Sequence, residues 1–212
     1  MKKNIMVLGL IFVFMLMFSG RVFAAEPGAF SLSLAGQYIP FITGDAGKGD
    51  GAPKYSDAFD SGLAVAVEAA YQLNPYLAVL GGVDYEQFSG DSHQGISFDD
   101  LDIIILYVGA KYYFLAYNPG WNPYVRADVG AAHFSSVDIS YSGFDGDYWD
   151  SSWEVMADAG LGLEYKFSNL GVFLEVKARY LNSPSTASEM KEFSRADSSW
   201  SLPIMLGVNF HF

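Results

Sequence analysis

Apolar and polar positions alternate along most of this chain with a period of two. The last stretch shows it most plainly: Leu202, Ile204, Leu206, Val208, Phe210 and Phe212 fall on one face, and Ser201, Met205, Gly207, Asn209 and His211 on the other. Strict alternation marks a strand that lies between two different environments. Seven further stretches read the same way: Phe30 to Ile39, Leu63 to Leu73, Tyr76 to Phe88, Ile103 to Phe114, Tyr124 to Phe134, Glu154 to Phe167 and Leu170 to Leu181. Turn-forming residues punctuate them. Asn74-Pro75, Leu115 to Asn122 and Ser168-Asn169 are short connections, whereas Pro40 to Gly62, Ser89 to Asp102, Ser135 to Trp153 and Asn182 to Ser199 are long and rich in Gly, Ser and Asp. Short turns at one end and long polar loops at the other predict an eight-stranded antiparallel up-and-down β-barrel that crosses a membrane.

The charges agree with this pattern. The eight stretches hold thirteen Asp, Glu, Lys and Arg residues, and a single parity in each strand places all thirteen opposite the apolar set. A soluble barrel would turn its apolar face inward and its charges outward. Here the apolar face ends in aromatic residues at both rims. Tyr71, Tyr112, Phe114, Tyr165, Phe167, Phe210 and Phe212 lie near the short turns, and Tyr38, Tyr85, Tyr180 and Trp200 near the long loops. Two such belts suit rings at the headgroup level of a bilayer, so the apolar face is expected to meet lipid. Pro203, which cannot donate to a ladder, is expected at the outer rim, where the pairing of the last strand begins.

The N-terminus and the composition fit an exported chain. Lys2 and Lys3 precede the uncharged apolar run from Ile5 to Phe18, and Val22-Phe23-Ala24 offers small residues for cleavage. That is the pattern of a secretory signal. Residues 1–24 are therefore expected to be removed, leaving residues 25–212 as the barrel. No cysteine occurs, so lipid anchoring through a thiol, disulfides and thiol chemistry are excluded. Without Lys2, Lys3 and Arg21, nine cations face 24 acidic residues, a balance that argues against nucleic-acid binding. No cofactor is expected.

The stretch Val108-Gly-Ala-Lys-Tyr-Tyr-Phe114, which ends a strand, and the terminal Leu206-Gly-Val-Asn-Phe-His-Phe212 resemble small bacterial outer-membrane β-barrels of the OmpA, OmpX and OmpW type. The resemblance covers nearly all of the chain after the leader, and it is to the barrel part alone, with no peptidoglycan-binding domain expected. It implies a monomer in a Gram-negative outer membrane, in contact with lipid and lipopolysaccharide. It also implies escort by periplasmic chaperones and insertion by the barrel-assembly machinery through the terminal strand, where Leu206, Val208, Phe210 and Phe212 would be the assembly signal.

Three groups of residues have chemistry to offer. Counted from the short turns, Lys111, Arg126, Glu164 and Glu175 fall at similar depth on four successive strands, and Glu68, Asp128 and Lys177 share their face. Unpaired charges inside a narrow barrel are costly, so an ion-pair network is expected, either as packing or as a gate for ions and small solutes. In the loops, Asp145-Gly-Asp147-Tyr-Trp-Asp150 and Asp99-Asp100-Leu-Asp102 contain hard oxygen ligands but match no defined metal loop, so solvated acidic loops with no metal are expected. Phe144, Tyr148 and Trp149 are expected to be exposed on a protruding hairpin, available to a partner. Finally, His133-Phe-Ser135 sets an imidazole and a hydroxyl on one face, an arrangement that resembles barrel lipid A deacylases. Same-face neighbours on the next strand supply no carboxylate to orient the histidine, so no enzyme is expected. The sequence leads to a surface or envelope-integrity role of adhesion type, with a narrow channel as the alternative.

Overall fold

A computed structural model describes residues 28–47, 52–141, 144–187 and 196–212, with residues 144 and 145 described by backbone alone. The leader, residues 1–24, lies outside the described residues. Eight long strands form the frame. They are β1 (Phe30–Ile39), β2 (Gly62–Asn74), β3 (Leu77–Phe88), β4 (Leu101–Tyr113), β5 (Gly120–Phe134), β6 (Ser152–Lys166), β7 (Leu170–Leu181) and β8 (Ile204–His211). Each pairs antiparallel with its neighbours in sequence, and β8 pairs with both β7 and β1, which closes the barrel. The closing register sets Ser31 against His211, Leu34 against Val208 and Tyr38 against Ile204.

Burial follows the alternation. On the outer face Val155 and Leu161 are each 64% exposed and Leu206 is 62% exposed. Inside, Lys177 and Arg179 are 0% exposed. Of the thirteen charged strand residues, Glu154 at the long-loop rim is half-buried and the other twelve are buried. Glycines on the inner face make room for rings. A Cβ on Gly82 would strike Tyr107, one on Gly162 would strike Tyr124, and one on Gly207 would strike Phe173. The aromatic belts stand at both rims, with Tyr180 against Trp200 at 5.5 Å and Trp121 against Tyr165 at 4.8 Å between ring centres.

Both strands of the closing seam meet a proline at the same level. Beyond Pro40, β1 resumes as Phe41–Thr43, and before Pro203, β8 is preceded by Ser199–Ser201; these two short pieces pair with each other. Pro203 thus lies where expected, and its carbonyl accepts the Lys177 amide at 2.9 Å. The ladder simply steps over both prolines.

The long loops differ from expectation. They fold into a cap over one mouth of the barrel. Ser92–His93, Ile96–Phe98, Val137–Tyr141 and Phe144–Trp149 form a four-stranded sheet, and Tyr55–Ala58 adds a helical turn. The cap has an aromatic core. Phe41 packs on Phe88 at 4.8 Å and on Tyr55 at 5.1 Å, while Trp149 packs on Tyr55 at 5.5 Å and on Phe59 at 5.7 Å. This core continues into the barrel through Leu101, Ile103, Ile105, Phe134, Met156 and Leu181. Tyr148 and Trp149, expected to be exposed, are buried because their rings complete this core. The Phe144 side chain lies outside the described residues.

Candidate functional site

The lumen below the cap holds two ion-pair clusters, one above the other. In the lower one, Arg126 on β5 reaches three carboxylates: Glu68 on β2 at 3.0 Å, Asp128 on its own strand at 2.7 Å and Glu175 on β7 at 3.0 Å. Lys111 on β4 shares Glu68 at 2.5 Å. Tyr124 donates to Glu175 at 2.7 Å, and Lys111 lies 5.4 Å from the centre of the Tyr124 ring.

In the upper cluster, Arg179 on β7 grips Asp158 on β6 with two hydrogen bonds, 2.9 and 3.0 Å, a paired geometry that suits guanidinium and carboxylate planes. The same guanidinium reaches across to β3, where it meets Asp84 at 3.0 Å and also pairs with Glu86. Lys177 adds a contact to Asp158 at 3.1 Å. The two clusters meet at the register pair Asp128 and Asp158.

At the short-turn mouth stands a third, separate group. Tyr117, in the turn after β4, donates to Glu164 at 2.7 Å, and the His211 Nε2 lies 3.0 Å from both the Glu164 carboxylate and the Tyr117 oxygen. The Lys166 ammonium sits 4.5 Å from the centre of the Tyr117 ring. A cavity of roughly one water's size lies beside them, lined by Ser31, Gln72, Tyr113, Tyr117 and His211 among others.

Of the residues picked out from sequence, the structure brings Glu68, Lys111, Arg126, Asp128 and Glu175 together. It places Lys177 in the upper cluster and Glu164 apart, at the mouth. Glu164 was expected level with Arg126 because strand five was read from Tyr124. The connection was read as Leu115 to Asn122, yet β5 begins at Gly120 and runs through Pro123. Arg126 consequently pairs in register with Gly160, four residues from Glu164. Asp84, Glu86, Asp158 and Arg179 were placed inside by parity but not recognised as a cluster. The signal for it is two pairs spaced by two, Asp84 with Glu86 and Lys177 with Arg179, on strands that no local rule connects.

At the outer rim the His133 ring is 3.0 Å from the Ser151 hydroxyl and packs on Trp153 at 4.9 Å. Ser135 instead accepts the Asp102 amide at 3.0 Å, so the two residues of the H-x-S pattern have different partners. In the loops, Asp100 accepts the Gly90 amide at 3.1 Å and Asp102 accepts the Tyr85 hydroxyl at 3.0 Å. Among the described residues, no three His, Asp or Glu side chains are grouped so as to hold a metal ion.

The profile of a family described as "Outer membrane protein beta-barrel domain" matches residues 10–191. The chain belongs to that family. Its exposed apolar face is therefore the lipid face of an outer-membrane barrel, the short turns are periplasmic and the cap is extracellular. No curated protein matches the chain. Similar solved structures include Neisserial surface protein A, 16% identical, covering 87% of this chain and 99% of that one with a TM-score of 0.56. OprG from Pseudomonas aeruginosa is also 16% identical, with 88% and 97% coverage and a TM-score of 0.57. Ail, the attachment invasion locus protein of Yersinia pestis, is 16% identical, with 88% and 100% coverage and a TM-score of 0.52. At these identities the likeness shows the fold.

Proposed function

We propose that this protein is a closed surface barrel, with no enzymatic activity, whose folded cap serves an envelope-integrity or adhesion role. One observation carries the reading: among the described residues, buried side chains crowd the lumen at three levels. Aromatic packing stops the outer mouth, ion pairs fill the middle, and Tyr113, Tyr117 and Tyr124 pack together near the periplasmic end. A folded cap with a core of its own is also a better platform for contact than free loops, because little order has to be gained on binding. The name of Ail, an attachment invasion protein, fits such a role.

The reading includes removal of residues 1–24, a monomeric barrel in lipopolysaccharide, and delivery by periplasmic chaperones to the barrel-assembly machinery through Leu206, Val208, Phe210 and Phe212. Cells that lack the protein, supplied either with the native chain or with Tyr148→Ala/Trp149→Ala, test it. Native protein is expected to restore detergent resistance or surface attachment. The cap variant should fail at equal abundance in the membrane. Full restoration by the cap variant would refute a surface role.

A further inference from the structure

The outer rim differs from one side of the barrel to the other. Around β7, β8, β1 and β2 its rings are matched within the protein, with Tyr180 against Trp200 at 5.5 Å and the Tyr38 hydroxyl donating to Ser61 at 3.0 Å. On the lipid side of β3 to β6 the rim is graded in three rows instead. The register sets Tyr85, Ile104, His133 and Trp153 side by side across four strands. One step further out stand Gln87, Asp102, Ser135 and Ser151. Gln87 pairs in register with Asp102, the Asp102 amide donates to the Ser135 hydroxyl at 3.0 Å, and Ser151 lies 3.0 Å from His133. One step into the membrane come Leu106, Ala131 and Val155.

Each row offers a different chemistry to whatever lies against it. In the outer row the Tyr85 hydroxyl occupies one Asp102 oxygen at 3.0 Å. Among the described residues nothing bonds the other oxygen, the Ser135 hydroxyl hydrogen or the Gln87 side-chain amide. Strands about 4.8 Å apart spread this row over roughly 14 Å. In the middle row Trp153 is 55% exposed, and an edge-to-face contact with His133, 4.9 Å between ring centres, steadies its indole. The inner row is aliphatic. No Lys or Arg stands in any of the three rows, and Asp102 is negative, so a bare phosphate finds no cation there and is repelled by Asp102. A sugar, in contrast, finds donors and acceptors for its hydroxyls in a line and a ring face for its C–H groups.

We infer that this side of the outer rim binds the sugar headgroup of an outer-leaflet glycolipid. One sugar ring lies on Trp153, the hydroxyls bond to the outer row, and the acyl chains rest on Leu106, Ala131 and Val155. The inference rests on the reading of the barrel as lying in lipopolysaccharide, and it names the face that makes the contact. That face is continuous with the lipid face of the barrel at headgroup level. The ligand therefore arrives by lateral diffusion with its chains already in the membrane, and only the headgroup has to be recognised. Trp153 lies outside the aromatic core of the cap, so the site is independent of what the cap contacts.

The probe is lipid A with its phosphates removed, added to the purified full chain in mild detergent and counted by native mass spectrometry. Phosphatidic acid and the same sugar without acyl chains serve as competitors. One glycolipid per barrel is expected to be retained, and neither competitor should displace it. Trp153→Ala should weaken binding about tenfold, the size of one lost ring contact, whereas Trp153→Phe keeps a ring and should retain most of the affinity. Gln87→Ala, at an exposed position, removes only a headgroup contact and should weaken binding about threefold. Trp200→Ala, on the other side of the rim, should match the native chain. Altered gel mobility before and after heating confirms that each variant is folded. Equal weakening by Trp153→Ala and Trp200→Ala would reduce the effect to ordinary interfacial anchoring and overturn the proposal. So would unchanged binding in Trp153→Ala and Gln87→Ala, displacement by phosphatidic acid, equal binding of the sugar without its chains, or release of an acyl chain. Loss of attachment in the cap variant with no glycolipid held at Trp153 would refute this site and leave the surface role standing.

Discussion

Arg179 joins three strands through one guanidinium, with Asp158 on β6 and Asp84 and Glu86 on β3. Removing it leaves three buried carboxylates to Lys177 alone. Arg179→Met is expected to destabilise the barrel by about 3–5 kcal/mol, the range for breaking a buried pair by deleting one partner. Lys111→Met should cost less, because Glu68 keeps Arg126 at 3.0 Å. Urea midpoints in vesicles give the order, and an equal loss for both would contradict it. Packing is as specific as charge at this scale. A Cβ on Gly162 meets the Tyr124 ring first, so Gly162→Ala is expected to cost about 1–3 kcal/mol. Combining it with Tyr124→Leu should recover the clash part of that cost in a double-mutant cycle; strict additivity would mean that the ring and the glycine are not in contact.

Among the elements, the seam and the cap make separate predictions. The chain has no native cysteine, so a single engineered bridge can report the closing register. Leu34 and Val208 are directly paired on the lipid face of β1 and β8. Cysteines at that pair should oxidise to a disulfide, whereas Leu34→Cys/Leu206→Cys, offset by two residues, should not, because paired Cα atoms lie within bridging range and offset ones do not. In the cap, burial pushes the Tyr148 phenol up to about 12, and burial together with the nearby Tyr148, Asp197 and Glu154 raises Tyr55 further. Both hydroxyls donate to backbone carbonyls, Tyr148 to Ala46 at 3.0 Å and Tyr55 to Asp197 at 3.2 Å. Their contribution to cap stability is complete below the ordinary tyrosine range, near 10, and disappears as pH climbs through the raised value. Spectrophotometric titration should find these two phenols ionising late, and Trp149→Ala should return both to the ordinary range by opening the cap. Unchanged late ionisation in that variant would separate them from the cap core.

These same elements mark what was legible in the chain. Each barrel strand was visible because one face meets lipid and the other the lumen, so alternation persists for ten residues or more. The start of β5 was hidden by Pro123, which is usually a turn residue and here sits within the strand. The cap was hidden for a different reason. Phe41, Tyr55 and Phe59 come from one loop and Phe98 and Trp149 from two others, and no local periodicity records that they meet. Depth inside the lumen was lost in the same way, since it depends on register between strands and not on the count along any one of them.

For the whole molecule, the apolar cap, the ion pairs of the lumen and the tyrosines of the periplasmic mouth are three layers of one proposed obstruction. Neither layer would suffice by itself. Aromatic loops alone can part, and an ion-pair network alone can re-pair around a passing ion. Under the closed-barrel proposal, the two stacked layers require two unrelated rearrangements before anything crosses. Planar-bilayer conductance of the purified native protein at neutral pH tests this most directly. A closed barrel gives no discrete steps, although insertion is confirmed by its altered gel mobility before and after heating. Steady unitary steps from the native protein, abolished by reversing Lys111 or Glu175, would contradict the account and establish a channel.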